Sequence, residues 1–240
     1  MEGAALTVGD WHPEVRILGV DDAGSASGAI VVIDVIRAFT TAAVAFANGA
    51  ARIWCVEGLD EAVVLGRSTV GSVVMGEERG IRPDRFDLGN SPTEPARDVV
   101  GGRTVVQRTS NGTRALVAAI GAEQLFAMAA SNVTATYRCL GLLRPLEVSL
   151  VCSGSLSDDR ACAEHLHELI KHGSADPSIL TERIVASTAE HMERWKLHHV
   201  RAERDRFLAD IAVCAAADTV SFAMAATRQD RYVELRRVNV

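Results

Sequence analysis

Ala29-Ile-Val-Val-Ile-Asp34, followed by Val-Ile-Arg37 and the alanine-rich Ala38-Phe-Thr-Thr-Ala-Ala-Val-Ala-Phe-Ala47, decides the fold. Five consecutive apolar residues ending in a carboxylate have no polar face, which is the pattern of a strand buried on both sides. The next stretch has helical composition and closes with Asn48-Gly49, a helix C-terminal signal. Arg52-Ile-Trp-Cys-Val56 then returns to strand chemistry. The unit reads β-α-β, and such units build a sheet with helices on both faces.

Working outward, the same alternation predicts a helix over 59–67, strands over 72–75 and 103–107, and a helix over 112–120. It continues with a strand over 124–128, a helix over 133–143 and a strand over 147–152. Beyond Ser157 the pattern turns mainly helical (158–172, 178–195 and 202–217) before two terminal strand candidates at 220–225 and 232–238. Residues 76–98 show no periodicity, and irregular segments of that length inside compact domains are usually functional. Phe86 and Leu88 also give this loop something to bury. With no repeat and no Pro/Gly/Ser linker, the expectation is one α/β domain over 1–240, a three-layer α/β/α sandwich with a mainly helical C-terminal part.

Composition narrows the function classes. The 240 residues are 48% apolar and 23% charged, enough to bury a full core, and the net charge of −6 with no like-charge block disfavours nucleic-acid binding. The start Met-Glu-Gly-Ala-Ala-Leu lacks a signal-peptide pattern, and no apolar run approaches the ~18 residues of a membrane span, so a cytoplasmic location is expected. Cys55, Cys139, Cys152, Cys162 and Cys214 are scattered without a C-x-x-C pair, which reads as reduced, buried thiols. Lys171 and Lys196 are the only lysines among 25 basic residues, so an anionic ligand would meet guanidinium forks.

Ligands of open α/β sheets collect at the carboxyl ends of strands. Three polar segments follow strand-like runs there: Asp34-Val-Ile-Arg37, Arg108-Thr-Ser-Asn-Gly-Thr113 and Ser153-Gly-Ser-Leu-Ser-Asp-Asp159. A carboxylate at the end of a buried run needs a cation or several donors, so Asp34 is either answered by a metal or Arg37, or caps the following helix. Residues 109–113 place hydroxyls, an amide and a glycine before a helix, which suits an anion or an ordinary turn. Asp158 and Asp159 open a helix, where acids cap, and paired carboxylates also suit Mg²⁺. His191, His198 and His199 sit on an arginine- and glutamate-rich helix that reads as solvated rather than metal-binding. The P-loop, the dinucleotide glycine fingerprint, the Cys-x5-Arg thiolate loop, the paired-aspartate phosphatase motif and Arg-His-Gly are all absent.

Taken in order, Asp34-Val-Ile-Arg-Ala-Phe-Thr-Thr41 with Asn48-Gly-Ala50, Gly76-Glu77, Phe86-Asp-Leu-Gly-Asn-Ser-Pro-Thr-Glu94, Thr109-Ser-Asn-Gly-Thr113 and Asp158-Asp159 resemble the 2-phosphosulfolactate phosphatase (ComB) family. The resemblance implies a ComB-like fold and Mg²⁺-dependent hydrolysis of the phosphate monoester of a 2-hydroxy acid, (R)-2-phospho-3-sulfolactate. It implies catalytic roles for Asp34, Arg37, Glu77 and Asn111. Thr40, Asn90, Ser91, Thr109, Gly112 and Thr113 would bind substrate, and Asp34, Glu94, Asp158, Asp159 and Asp210 would supply metal ligands. The implied partner is a small anionic phosphorylated substrate, with no nucleic acid or membrane, and a homo-oligomer is admissible. The alternatives are a phosphatase of the same fold for another phosphorylated hydroxy acid and a non-catalytic binder of an anionic metabolite. The chain departs from the family where Gly-Glu-Arg becomes Gly76-Glu-Glu-Arg79, and counting back from Phe86 without a gap puts Glu78 at the arginine position.

Overall fold

The computed structural model describes residues 11–119, 122, 124–196 and 201–240. In chain order the elements are β1 (Glu14–Gly19), β2 (Ala29–Ile33), α1 (Ala38–Ala47), β3 (Arg52–Cys55), α2 (Leu59–Ser68), β4 (Val73–Gly76), α3 (Arg97–Val100), β5 (Thr104–Arg108) and α4 (Gly112–Ala118). They continue with β6 (Gln124–Met128), α5 (Val133–Leu143), β7 (Glu147–Cys152), α6 (Ser157–His172), α7 (Pro177–Lys196), α8 (Arg201–Cys214), β8 (Phe222–Arg228) and β9 (Val233–Asn239). The expected α/β architecture is present. Strand β1 and the single turn α3 were not expected, and His198, His199 and the end of the expected 112–120 helix lie outside the described residues.

All strands join one nine-stranded sheet in the order β1-β7-β2-β6-β8-β9-β3-β5-β4. Neighbours within β1-β7-β2-β6 and within β3-β5-β4 pair in parallel. The β8-β9 hairpin lies between these groups and pairs antiparallel to β6 on one side and β3 on the other. The two ends of the first β-α-β unit, β2 and β3, are therefore not neighbours, and the last two strands of the chain occupy the middle of the sheet.

In a flat sheet β2 and β5 would stand about 24 Å apart, at about 4.8 Å per strand. Here Gln107 Nε2 of β5 donates to the Ala38 carbonyl after β2 at 2.9 Å. The sheet must therefore curl on itself, as strongly twisted sheets of this many strands do. It coils around α1 and α4, which swings the carboxyl ends of β4 and β5 toward that of β2. Phe39, Phe46, Ile30, Ile53, Leu116 and Met224 fill the concave core that results. Helices α5, α6 and α7 cover the other face of the β2 half with Leu140, Leu166 and Ile184. Helix α2 covers the β4 half with Ala62, Val63 and Leu65. All five cysteines are free and buried, as expected.

Candidate active site

The coiling gathers strand ends from both halves around a cavity of about 610 Å³. Its floor is anionic. Asp34 follows β2 directly, 5% exposed, and its Oδ1 accepts the Ala38 N–H at 2.8 Å, so the carboxylate both caps α1 and faces the cavity. Asp159, in the first turn of α6, accepts the Val35 N–H at 2.8 Å and the Gly154 N–H at 2.9 Å. The Ser153 hydroxyl, just after β7, lies 2.9 Å from Asp34 Oδ2 and 3.2 Å from Asp159 Oδ2. One hydroxyl proton donates fully to only one of the two carboxylates, so the cluster favours an added proton or a cation. Asp158 completes it from the same turn, with Oδ1 3.0 Å from His191 Nε2.

Burial pushes the Asp34 carboxyl up to about 6, helped by the charges of Asp158 and Glu77 and opposed by the Ala38 and Ser153 hydrogen bonds. Asp159 is also held well above the usual carboxylate range, first by burial and then by the charges of Asp158 and Asp34. Cys152 adjoins this floor, yet burial, with Asp159, drives its thiol up to about 12, so it offers no thiolate nucleophile at neutral pH.

Arg37 enters from the turn before α1, after a cis Ile36–Arg37 peptide. Its Nη1 meets Asp210 Oδ2 of α8 at 2.7 Å in a buried pair, and its guanidinium lies over the Phe207 ring at 5.2 Å. Asp210 also accepts the Ser91 hydroxyl at 2.6 Å. The Phe86–Glu94 segment is organised by its own polar groups. Asp87 accepts the Val74 N–H, Glu94 accepts the Gly89 N–H, and the Asn90 carbonyl receives Thr41 Oγ1. The side-chain oxygen Oδ1 of Asn90 is buried with no hydrogen-bond partner among the described residues, and Asn90 lines the cavity.

Of the residues named from the sequence, Asp34, Arg37, Glu77, Asn90, Thr109 and Asn111 line the cavity, together with both Asp158 and Asp159. The others stand behind this wall. Thr40 is spent on the Val35 carbonyl, and Thr113 exchanges hydrogen bonds with Thr109. Ser91 and Asp210 brace Arg37, and Glu94 holds its own loop. Gly112 is a packing requirement, since a Cβ there would lie 2.7 Å from Asp34 Oδ2 and 2.9 Å from Ala38 Cβ. Gly112→Ala is expected to displace Asp34, cutting turnover about tenfold and stability by about 1–2 kcal/mol. Parallel activity and melting measurements check this.

Glu77 accepts from the Ser110 N–H at 2.5 Å and the Gly80 N–H at 2.5 Å, and from Ser110 Oγ at 3.1 Å. It thereby fixes a two-residue hairpin closed by reciprocal Glu78–Ile81 backbone bonds, with Arg79 and Gly80 both at positive φ. The gap-free count assigned Glu78 to the arginine position, but the turn puts Arg79 on the cavity wall. Glu78 faces Arg108 at 4.0 Å and does not line the cavity.

His191, Arg194 and Phe207 line the cavity without a site role read from the sequence, and Ser153 lines it from a strand-end segment singled out there without a role of its own. His191 was expected on a solvated face, and the structure corrects this, because it is 8% exposed and bonded to Asp158. The available signal was the spacing of Leu180, Ile184, Ser187 and His191, all buried along one stripe of α7.

Fold and cleft together define an α/β protein with a deep ionic pocket at its strand ends, the usual setting of a small-molecule enzyme site. The chain belongs to the 2-phosphosulpholactate phosphatase family, whose sequence model matches residues 19–229. It is accordingly a phosphoric monoester hydrolase acting on a small phosphorylated substrate. It is 36% identical over 169 residues to a probable 2-phosphosulfolactate phosphatase of Bacillus subtilis (strain 168), covering 69% of this chain and 70% of that protein. A protein of the same description from Carboxydothermus hydrogenoformans is 34% identical over 196 residues, 78% of this chain and 81% of the relative. One from Thermotoga maritima is 32% identical over 179 residues, covering 72% and 77% respectively. Among the described residues, no helix is long and apolar enough to cross a membrane.

Proposed function

We propose that the protein is a Mg²⁺-dependent phosphatase that hydrolyses (R)-2-phospho-3-sulfolactate to sulfolactate and phosphate. The observation that carries this reading is the Asp34–Ser153–Asp159 cluster with Asp158 beside it. Mg²⁺ keeps several waters and takes one or two carboxylates plus substrate oxygens, a demand that Asp34 and Asp159 would meet. The raised carboxyls and the orphaned Asn90 Oδ1 fit a hydrated cation, whose waters would donate to both. Asp34 and Asp159 would hold it, with Asp158 steadied by His191. Bound there, Mg²⁺ would neutralise phosphoryl oxygens and orient a water.

The remaining steps belong to the chain itself. Arg37, immobilised by Asp210 and Phe207, presents its guanidinium to the phosphoryl group from a fixed position, a preorganised electrostatic contact. Asn111 and the Thr109–Ser110 segment close the wall beside it and orient the phosphate for in-line attack. A water oxygen forms the new P–O bond as the ester P–O bond breaks, and the proton that the water loses balances the one taken up by the departing alcohol oxygen.

Phosphate release from this ester, measured with Mg²⁺ and with EDTA, tests the proposal. Release only with Mg²⁺ supports it, whereas a ligand-induced melting shift without release identifies a binding protein.

A pH dependence accompanies it. Because Asp34 ionises only above about 6 in the folded chain against an ordinary 3.8, metal-free protein binds the extra proton in the native state. Its stability should therefore rise as the pH falls through about 6 toward 4 and drop as the pH rises. Mg²⁺ should accordingly raise the melting temperature more at pH 7.5 than at pH 5. Equal shifts at both pH values would contradict the assignment.

A further inference from the structure

The cavity wall carries three guanidinium groups, and they are not equivalent. Arg37 is buried and ion-paired with Asp210, whereas Arg79 and Arg194 are exposed and make no ion pair within 4.0 Å among the described residues, Arg194 lying near enough to the Glu190 carboxylate to favour its charge. Arg79 stands at the tip of the hairpin after β4, its backbone N–H donating to Ser110 Oγ at 3.0 Å. Its φ of 52° is an uncommon conformation for a residue with a side chain, and such strain concentrates at functional sites. Arg194 comes from α7, and its Nη2 donates to Ser155 Oγ at 3.2 Å. Ile36, Ile81, Leu156 and Phe207 supply apolar wall to the same cavity.

We infer that Arg79 and Arg194 form a two-sided clamp for a second strongly acidic group on the substrate, the end that does not react. The inference rests on the phosphatase reading of the cavity floor, which places the phosphoryl group against Arg37 and the aspartates. The rest of a short organic acid then extends along the apolar wall toward the rim. A sulfonate or a second carboxylate there matches the planar donor fork of arginine. The clamp makes these residues determinants of specificity and leaves bond cleavage to the floor.

The test compares phosphosulfolactate with phospholactate, which has the same phosphate and carboxylate but no sulfonate, in wild type, R79Q and R194Q. In each variant the ratio of kcat/KM for the sulfonated over the plain ester should fall at least tenfold, with the change in KM. Calorimetry with sulfolactate should show at least tenfold weaker binding in both variants. Wild-type ratios and wild-type sulfolactate affinity in both variants would overturn the inference. A change in one variant alone would overturn the two-sided arrangement. If wild type releases phosphate from neither ester, the phosphatase reading fails, and sulfolactate affinity decides the clamp separately. Both arginines are exposed, so melting temperatures should stay near wild type and confirm that the variants are folded.

Discussion

Asp34→Asn is expected to fold normally and to release phosphate about a hundred- to a thousandfold more slowly than wild type, the scale seen when a preorganised electrostatic group is removed. The substitution keeps the size of the side chain, so the contact with the Ala38 N–H that starts α1 survives. It removes one charge from a floor where Asp34, Asp158 and Asp159 crowd together and where burial already disfavours ionisation. Metal-free Asp34→Asn should therefore melt higher than metal-free wild type at pH 7.5 and gain less from Mg²⁺. Loss of turnover with a gain in stability identifies a residue held in its charged form for chemistry. Unchanged Mg²⁺-dependent turnover would remove Asp34 from the site.

Asp210→Ala should give the largest loss of stability. Asp210 is fully buried, and the change removes the carboxylate that pairs with the buried Arg37 guanidinium and accepts the Ser91 hydroxyl. Breaking one side of such a pair costs about 3–5 kcal/mol. For a chain of this length that lowers the melting temperature by roughly 6–20 °C, at about 2–4 °C per kcal/mol. Turnover should also fall, because Arg37 loses the contact that fixes its direction. Asp210→Asn keeps oxygen and amide groups within reach of both partners and should recover part of the loss. Thermal melts of the two variants check this, and an unchanged melting temperature for Asp210→Ala would show that Arg37 is held by other contacts.

Much of this was legible in the sequence, for identifiable reasons. The run ending at Asp34 is apolar on both faces, so its depth and the cost of its terminal carboxylate follow from composition alone. Helix α1 and strands β6 and β7 take the expected boundaries because caps, turns and periodicity agree there. β1 was hidden because it pairs on one side only and is mostly half-buried, which leaves a mixed pattern, Glu-Val-Arg-Ile-Leu-Gly. The central position of β8 and β9 was hidden because strand order depends on long-range pairing that no local pattern encodes.

At the site, residue type gave the chemistry but not the direction of each side chain. Glu94 and Asp210 are acids in the right region, yet one holds a loop and the other holds an arginine. His191 looked solvated because its neighbours are charged, although its own place is on the buried stripe of α7.

The position of the β8-β9 hairpin bears on when the protein becomes competent. The β1-β7-β2-β6 and β3-β5-β4 groups share no strand pairing except through this hairpin, and each contributes part of the cavity wall. The groups that act on substrate are thus synthesised before the strands that bring them together. Until β8 and β9 insert, Asp34 and Thr109 stand on strand groups with no continuous sheet between them, in contact through α1, α4 and the Gln107 hydrogen bond to the Ala38 carbonyl. Recovery of activity during refolding should therefore trail the formation of helices, so the cleft reports completion of the whole sheet.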